Sequence, residues 1–139
     1  MDGSARTVLC VDDDPDVLDL HRMVLESTGY SVLTASSARA SLELFASSPA
    51  DAVLLDYAMP EMNGGQVAAV MKDMKPEIPV LMLSALPSLP QDARSVDVFV
   101  TKGGSPEIWL DVLAALLDSR RFRCTASLVL DRNVCSYAR

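Results

Sequence analysis

The chain has 139 residues and a mass of 15.0 kDa, close to the commonest size for one domain. Half of it is apolar and 22% charged, so it can build a core, yet no apolar run approaches the roughly 20 residues of a membrane span. A net charge of −7 argues against nucleic acid as a direct ligand, because a phosphate backbone calls for a basic surface.

No basic-then-apolar leader opens the chain, so a soluble, cytoplasmic protein without membrane contact is expected. Thr7–Val11 is a short apolar run of the kind that forms a strand covered on both faces. Cys10 within it reads as a small core hydrophobe, and three cysteines give no disulfide framework. Asp14 can cap a helix that has Pro15 at its first position. Val17, Leu20, Val24 and Thr28 share a face of that helix until Gly29 stops it, and His21 reads as a boundary side chain. Val32–Ala35 is the second strand. The helix from about Ser37 aligns Ala38, Leu42 and Phe45. Ala52–Leu55 is the third strand and runs into Asp56. Asn63 and Gln66 form a capping box for a helix that aligns Val67, Val70, Met71 and Met74.

Val80–Leu83 and Val96–Val100 are the fourth and fifth strands. Only eleven residues, Ala85 to Ser95, connect them, and these include Pro87 and Pro90. A crossover takes about a dozen residues, and proline breaks a helix interior. The fourth helix is therefore expected to be one or two turns at most, after Pro90, or an irregular loop. The last helix starts at Ser105-Pro106 and faces Trp109, Leu113, Leu116 and Leu117 inward. Residues 1–118 carry a net charge of −11, whereas residues 119–139 carry +4. That tail breaks the pattern. It is expected to be a loosely packed extension of a domain spanning residues 5–118, although Ser127–Leu130 has strand character. A homodimer contact or an added edge strand is the alternative.

Strand–helix alternation implies an α/β, doubly wound parallel sheet with helices on both faces. Ligands in such sheets bind beyond the carboxyl ends of the strands, where strand order reverses. In a five-stranded sheet of order 2-1-3-4-5 the first and third strands flank that point. Asp12 and Asp13 end the first and Asp56 ends the third, so three carboxylates converge. Two of them about 4 Å apart repel by roughly 4 kcal/mol at an effective dielectric near 20. Either one carboxyl holds a proton or a hard divalent cation is bound, and Mg²⁺ suits a site with few carboxylates and open positions for phosphoryl oxygens. Asp12 and Asp13 as solvated turn residues are the plainer alternative, and Asp14 and Asp16 are expected to be a cap and a first-turn acid.

Val11-Asp12-Asp13-Asp14-Pro15, the run from Asp56 to Gly64, Leu83-Ser84-Ala85 and Lys102 together resemble the response-regulator receiver domain of two-component signalling. The likeness covers about residues 5–118 and implies a flavodoxin-like fold. It also implies that Asp56 accepts a phosphoryl group, and that Mg²⁺ is held by Asp12, Asp13, Asp56 and the backbone carbonyl of Ala58. By the same resemblance, Ser84 and Lys102 contact phosphoryl oxygens, and Ser84 and Phe99 act in the switch. A sensor histidine kinase or histidine phosphotransfer protein would be the donor, and an unidentified downstream protein would receive the signal by contact. Such a chain is no enzyme beyond its own phosphoryl transfer and autodephosphorylation. Gly103 departs from the family, which usually has proline in a cis peptide there. Two other readings compete: a degenerate receiver serving only as an interaction module, and a haloacid-dehalogenase-like phosphatase using Asp12.

Overall fold

The computed structural model describes residues 6–85, 90–91, 93–122 and 134–136. The element order is β1 (Thr7–Val11), α1 (Pro15–Ser27), β2 (Ser31–Ala35), α2 (Ala38–Ser47), β3 (Ala52–Asp56), α3 (Gly64–Met74), β4 (Val80–Ser84), β5 (Val98–Thr101), α4 (Pro106–Phe122) and β6 (Val134–Ser136). The helix starts follow the local chemistry of the sequence. Asp14 caps α1 by accepting from the Asp16 amide, with Pro15 in the first turn. Ser37 caps α2 by accepting from the Ala40 amide, and Asn63 and Gln66 form a reciprocal capping box at α3. Ser105 accepts from the Glu107 amide at the start of α4.

The first five strands are parallel in the order β2-β1-β3-β4-β5, and β6 adds an antiparallel sixth strand on the outer edge of β5. The sequence places five strands in this sheet, so the sixth is an addition. Val98 pairs with Ser136 and Val100 with Val134. The segment 127–130 lies outside the described residues. Strand alternation divides the core in two. Val8, Cys10, Leu54, Leu81, Leu83, Val98 and Val100 pack with Leu18 and Leu25 of α1 and with Trp109, Val112, Leu113, Leu116 and Leu117 of α4. Leu9, Val11, Val53, Leu55, Val80, Met82 and Phe99 pack with Phe45 of α2 and with Val67, Ala68 and Met71 of α3. Successive side chains of one strand thus feed opposite layers, as the period of two requires.

Three side chains on the aligned stripes are exposed: Leu20, Met74 and Thr28, the last of which caps the end of α1. Leu20 is 53% exposed and Met74 42%. In α1 the buried positions are Leu18 and Leu25, two turns apart, so the helix is rotated from the stripe through Leu20. Met74 is the final residue of α3, one turn beyond the buried Met71.

Among the described residues between β4 and β5 there are turns and no helix. The Ala93 amide donates to the Pro90 carbonyl, and Val96 to Ala93. Ala93 and Val96 are both fully buried, so this connection is anchored by packing. Its end is also tied by Asp97. One oxygen of that carboxylate accepts from Lys72 Nζ at 2.7 Å and from the Val80 amide at 2.8 Å, and Lys72 also donates to the Ile78 carbonyl. Asp97 therefore holds the end of α3 and the starts of β4 and β5 together. Removing it leaves the Val80 amide without its acceptor and the half-buried Lys72 ammonium without its counter-charge, held only by the Ile78 carbonyl. Asp97→Ala is expected to lower the unfolding free energy by about 2 kcal/mol in urea titration, and a loss under about 0.5 kcal/mol would show that the tie contributes little.

Candidate functional site

Register brings the acidic residues together. Val11 pairs with Leu55, so Asp12 at the end of β1 stands beside Asp56 at the end of β3. The Asp12 amide extends the other ladder by donating to the Ala35 carbonyl. One oxygen each from Asp12, Asp13 and Asp56 lie within 4.8 Å of one another. Asp12 and Asp56 are buried and Asp13 is exposed. The site thus opens to solvent on the Asp13 side.

Lys102 reaches into this cluster from the end of β5, two strands away from β3 in the same sheet. Its Nζ lies 2.9 Å from Asp56 Oδ1 and 3.2 Å from Asp12 Oδ2. Asp12 Oδ1 accepts from the Asp14 amide at 3.0 Å, so both Asp12 oxygens are engaged. Ser84 is buried at the end of β4, and its carbonyl accepts from the Lys102 amide at 2.7 Å. Ser84 pairs with Thr101 in the β4–β5 ladder. Ala58 is exposed in the loop after β3. Phe99 is buried in the layer that holds Met82, Ala93 and Val96.

The electrostatics follow from burial. Loss of hydration raises the Asp56 pKa above the usual carboxylate range. The hydrogen bond from Lys102 opposes that rise, and the Asp12 charge adds to it. Burial would lower the Lys102 pKa, but bonds and charges from Asp56 and Asp12 outweigh it and the net shift is upward. Three carboxylates against one ammonium leave an excess of negative charge. Carboxylate oxygens are the donors a hard divalent cation takes, so the residues present fit Mg²⁺. Cys10 belongs to the core, its thiol pushed up to about 12 chiefly by burial, and supplies no nucleophile. His21 stacks edge-on against Trp109 with ring centroids 5.2 Å apart. Its pKa is lowered, first by burial.

Asp12, Asp13, Asp56 and Lys102 are thus brought into one cluster, with Ser84 bonded to its rim through Lys102. Phe99 lies apart from it. The sequence reading did not find the Asp14 amide on Asp12, although Asp14 follows Asp12 by the two residues such a turn needs. Nor did it find how tightly Gly64 packs. The Gly64 amide donates to the Tyr57 carbonyl at 2.7 Å. A Cβ at Gly64 would stand 2.4 Å from the Asp56 carbonyl oxygen and 2.9 Å from Tyr57 Cα, both backbone atoms. Glycine at 64 is what lets α3 start against the strand end that carries Asp56.

Comparison with known proteins agrees with this geometry. The family model described as the response regulator receiver domain matches residues 8–102. The transcriptional regulatory protein GlrR of Escherichia coli is 41% identical over 99 residues, which cover 68% of this chain and 22% of GlrR. A CheY-like receiver domain protein from Methanospirillum hungatei superposes with a TM-score of 0.81 at 25% identity, covering 87% of this chain and all of that one. The response regulator TrrA of Thermotoga maritima, solved with Mg²⁺ and BeF, gives 0.77 at 26% identity over 80% of this chain and 98% of its own. TrrA has also been solved in complex with the histidine kinase ThkA. The chain belongs to the response-regulator receiver family. It spans only about a fifth of GlrR and 56% of the KdpE regulator of Mycobacterium tuberculosis.

Two outcomes follow from the site. Gly64→Ala drives a methyl into the Asp56 backbone and is expected to cost about 3 kcal/mol of stability in chemical denaturation. A loss below about 1 kcal/mol would show that the loop yields freely. The Asp56 carboxyl, with its pKa raised on folding, favours the folded state while protonated and loses that contribution as pH rises through its folded pKa. Asp56→Asn is therefore expected to become progressively more stable than the wild type, without added metal, as pH rises from the ordinary carboxylate range through the raised folded pKa of Asp56. Thermal melts across that range would refute it if the difference stayed constant or shrank.

Proposed function

We propose that the protein is a phosphorylation-activated signalling switch that accepts a phosphoryl group on Asp56 from a phosphohistidine, with Mg²⁺ in the pocket. The observation that carries this reading is the convergence of Asp12, Asp13 and Asp56 within 4.8 Å, bridged by Lys102. It is supported by the likeness to TrrA, a response regulator solved with Mg²⁺ and BeF and with a histidine kinase.

An Asp56 oxygen attacks the phosphorus, forming a P–O bond as the P–N bond breaks and its electron pair returns to the imidazole. Asp12, Asp13, Asp56 and the Ala58 carbonyl are the groups that would hold the ion, and Mg²⁺ supplies charge neutralisation on the transferring oxygens. The Lys102 ammonium pairs with the phosphoryl oxygen nearest Asp56, and the Ser84 hydroxyl donates to another. Signalling then proceeds by protein contact, and the chain catalyses nothing beyond its own transfer and dephosphorylation. The donor is a sensor histidine kinase or a histidine phosphotransfer protein. Use of Asp12 as nucleophile, as in a haloacid-dehalogenase-like phosphatase, is disfavoured because no second acidic pair follows the fourth strand in the sequence.

Incubation with acetyl phosphate and Mg²⁺ is expected to add about 80 Da to the intact mass. The gain should vanish in Asp56→Ala and when the metal is chelated. No mass gain in the wild type, or an equal gain in Asp56→Ala, overturns the assignment and leaves the interaction module as the better reading.

A further inference from the structure

Between α1 and α4 the sheet is not fully covered. Leu83 of β4 and Val100 of β5 form the floor of a cleft walled by Val17 and Val24 of α1 and by Ile108 and Trp109 of α4. Its volume is about 240 Å³. Native packing leaves few gaps larger than a water molecule, so a space of this size between two core-forming helices can take an occupant. The turn before α4 lines it with Gly103 and Gly104, which contribute no side chains. A Cβ at Gly103 would meet nothing within 4 Å, and one at Gly104 would stand 3.3 Å from Ile108 Cδ1. Two residues without side-chain atoms thus keep that side open. Leu20, 53% exposed, carries the apolar lining out to the surface.

The polar residues of the cleft differ in how much bonding capacity they have left. Lys102 is spent on Asp56 and Asp12. Ser105 is spent on the carboxylate and amide of Glu107. His21, by contrast, makes no hydrogen bond among the described residues, and its ring meets Trp109 edge-on at 5.2 Å. Burial lowers its pKa, so at neutral pH the imidazole is uncharged and offers one donor and one acceptor. The charges that act on it, from Asp12 and Lys102, are opposite in sign and paired with each other. Such a cleft favours a neutral guest with a single polar group.

We propose that this cleft binds a small neutral aromatic molecule of the indole class, its fused rings between Trp109 and the apolar walls and its N–H donated to His21. A cavity of about 150 Å³ with apolar walls holds benzene, and the larger volume here leaves room for a second ring. Contact with Trp109 adds an aromatic pairing to the burial. The site is separate from the carboxylate cluster and stands whether or not Asp56 accepts a phosphoryl group. Lys102 is common to both, so a molecule held here lies against a residue that pairs with Asp56.

The test titrates the full, isotopically labelled chain by NMR with indole and with benzofuran, which has oxygen in place of the N–H. Indole is expected to shift the Trp109 ring N–H and the Gly103 and Gly104 amides saturably, with a dissociation constant on the order of 0.5 mM. Benzofuran should bind about fivefold more weakly, the worth of one neutral hydrogen bond. His21→Phe, which keeps a ring and loses the acceptor, should bring the two probes within about twofold. Val24→Phe fills the cleft and should weaken indole at least about tenfold. The proposal is overturned if no saturable shift appears up to about 5 mM indole, as when the cleft admits only a side chain of a partner protein. It is overturned also if benzofuran matches indole on the wild type, a comparison that needs no variant, or if folded Val24→Phe binds indole as the wild type does.

Discussion

Repulsion among carboxylates that the fold forces together governs this molecule. Asp12 and Asp56 are buried side by side because β1 and β3 are adjacent and in register, with Asp13 at the mouth of the same pocket. In bulk water such a cluster would cost little. Where most of the hydration is gone the repulsion is several-fold larger. Lys102 offsets part of it by bonding to both buried carboxylates. The Asp14 amide offsets a further part at Asp12, beside the N-terminal end of α1, where the helix dipole also favours negative charge. The remaining excess of negative charge is what makes the pocket receptive to a hard cation.

Keeping such a cluster needs a rigid platform, and the two core layers provide it. The strands that carry the acids have fully buried apolar residues on both faces, from Val8 to Val11 and from Ala52 to Leu55. Any sliding of β1 against β3 would expose one of those layers, and a slip of one residue would exchange them. The position of Asp56 is fixed further from the α3 side, where Gly64 lies against its carbonyl. Side-chain packing and backbone contact therefore act together to hold the carboxylates close despite their repulsion.

The parallel sheet, its strand order and the starts of α1, α2 and α3 were legible because they rest on short-range signals: apolar runs, Asp14-Pro15, Ser37, and Asn63 with Gln66. The pocket was legible for a related reason. In this topology, the ends of the first and third strands are neighbours whatever the details of packing. What could not be read was set by three-dimensional angle. The rotation of α1 that exposes Leu20 depends on how the helix lies against α4 and the sheet. The positive φ of Gly103 is a backbone angle that no local apolar or capping pattern specifies. The sixth strand was weighed only as an alternative, because three residues pairing through their backbones leave almost no mark in composition.

That sixth strand changes what kind of element β5 is. An edge strand has one free ladder and can shift or pair with another chain. Here β5 is bonded to β4 along one side and to β6 along the other, so it behaves as an interior strand. Phe99, at its centre, is held between those ladders and buried in the layer that contains Ala93 and Val96. In the proposed switch, a phosphoryl group drawing on Ser84 and Lys102 acts at the carboxyl ends of β4 and β5. With β5 hydrogen-bonded on both sides, sliding of the strand would break both ladders at once. The change is more cheaply taken up by the segments at its ends: the turn at Gly103, and the connection that carries Ala93 and Val96. Those two segments, joined by one strand, are where a change at the pocket would emerge on the surface.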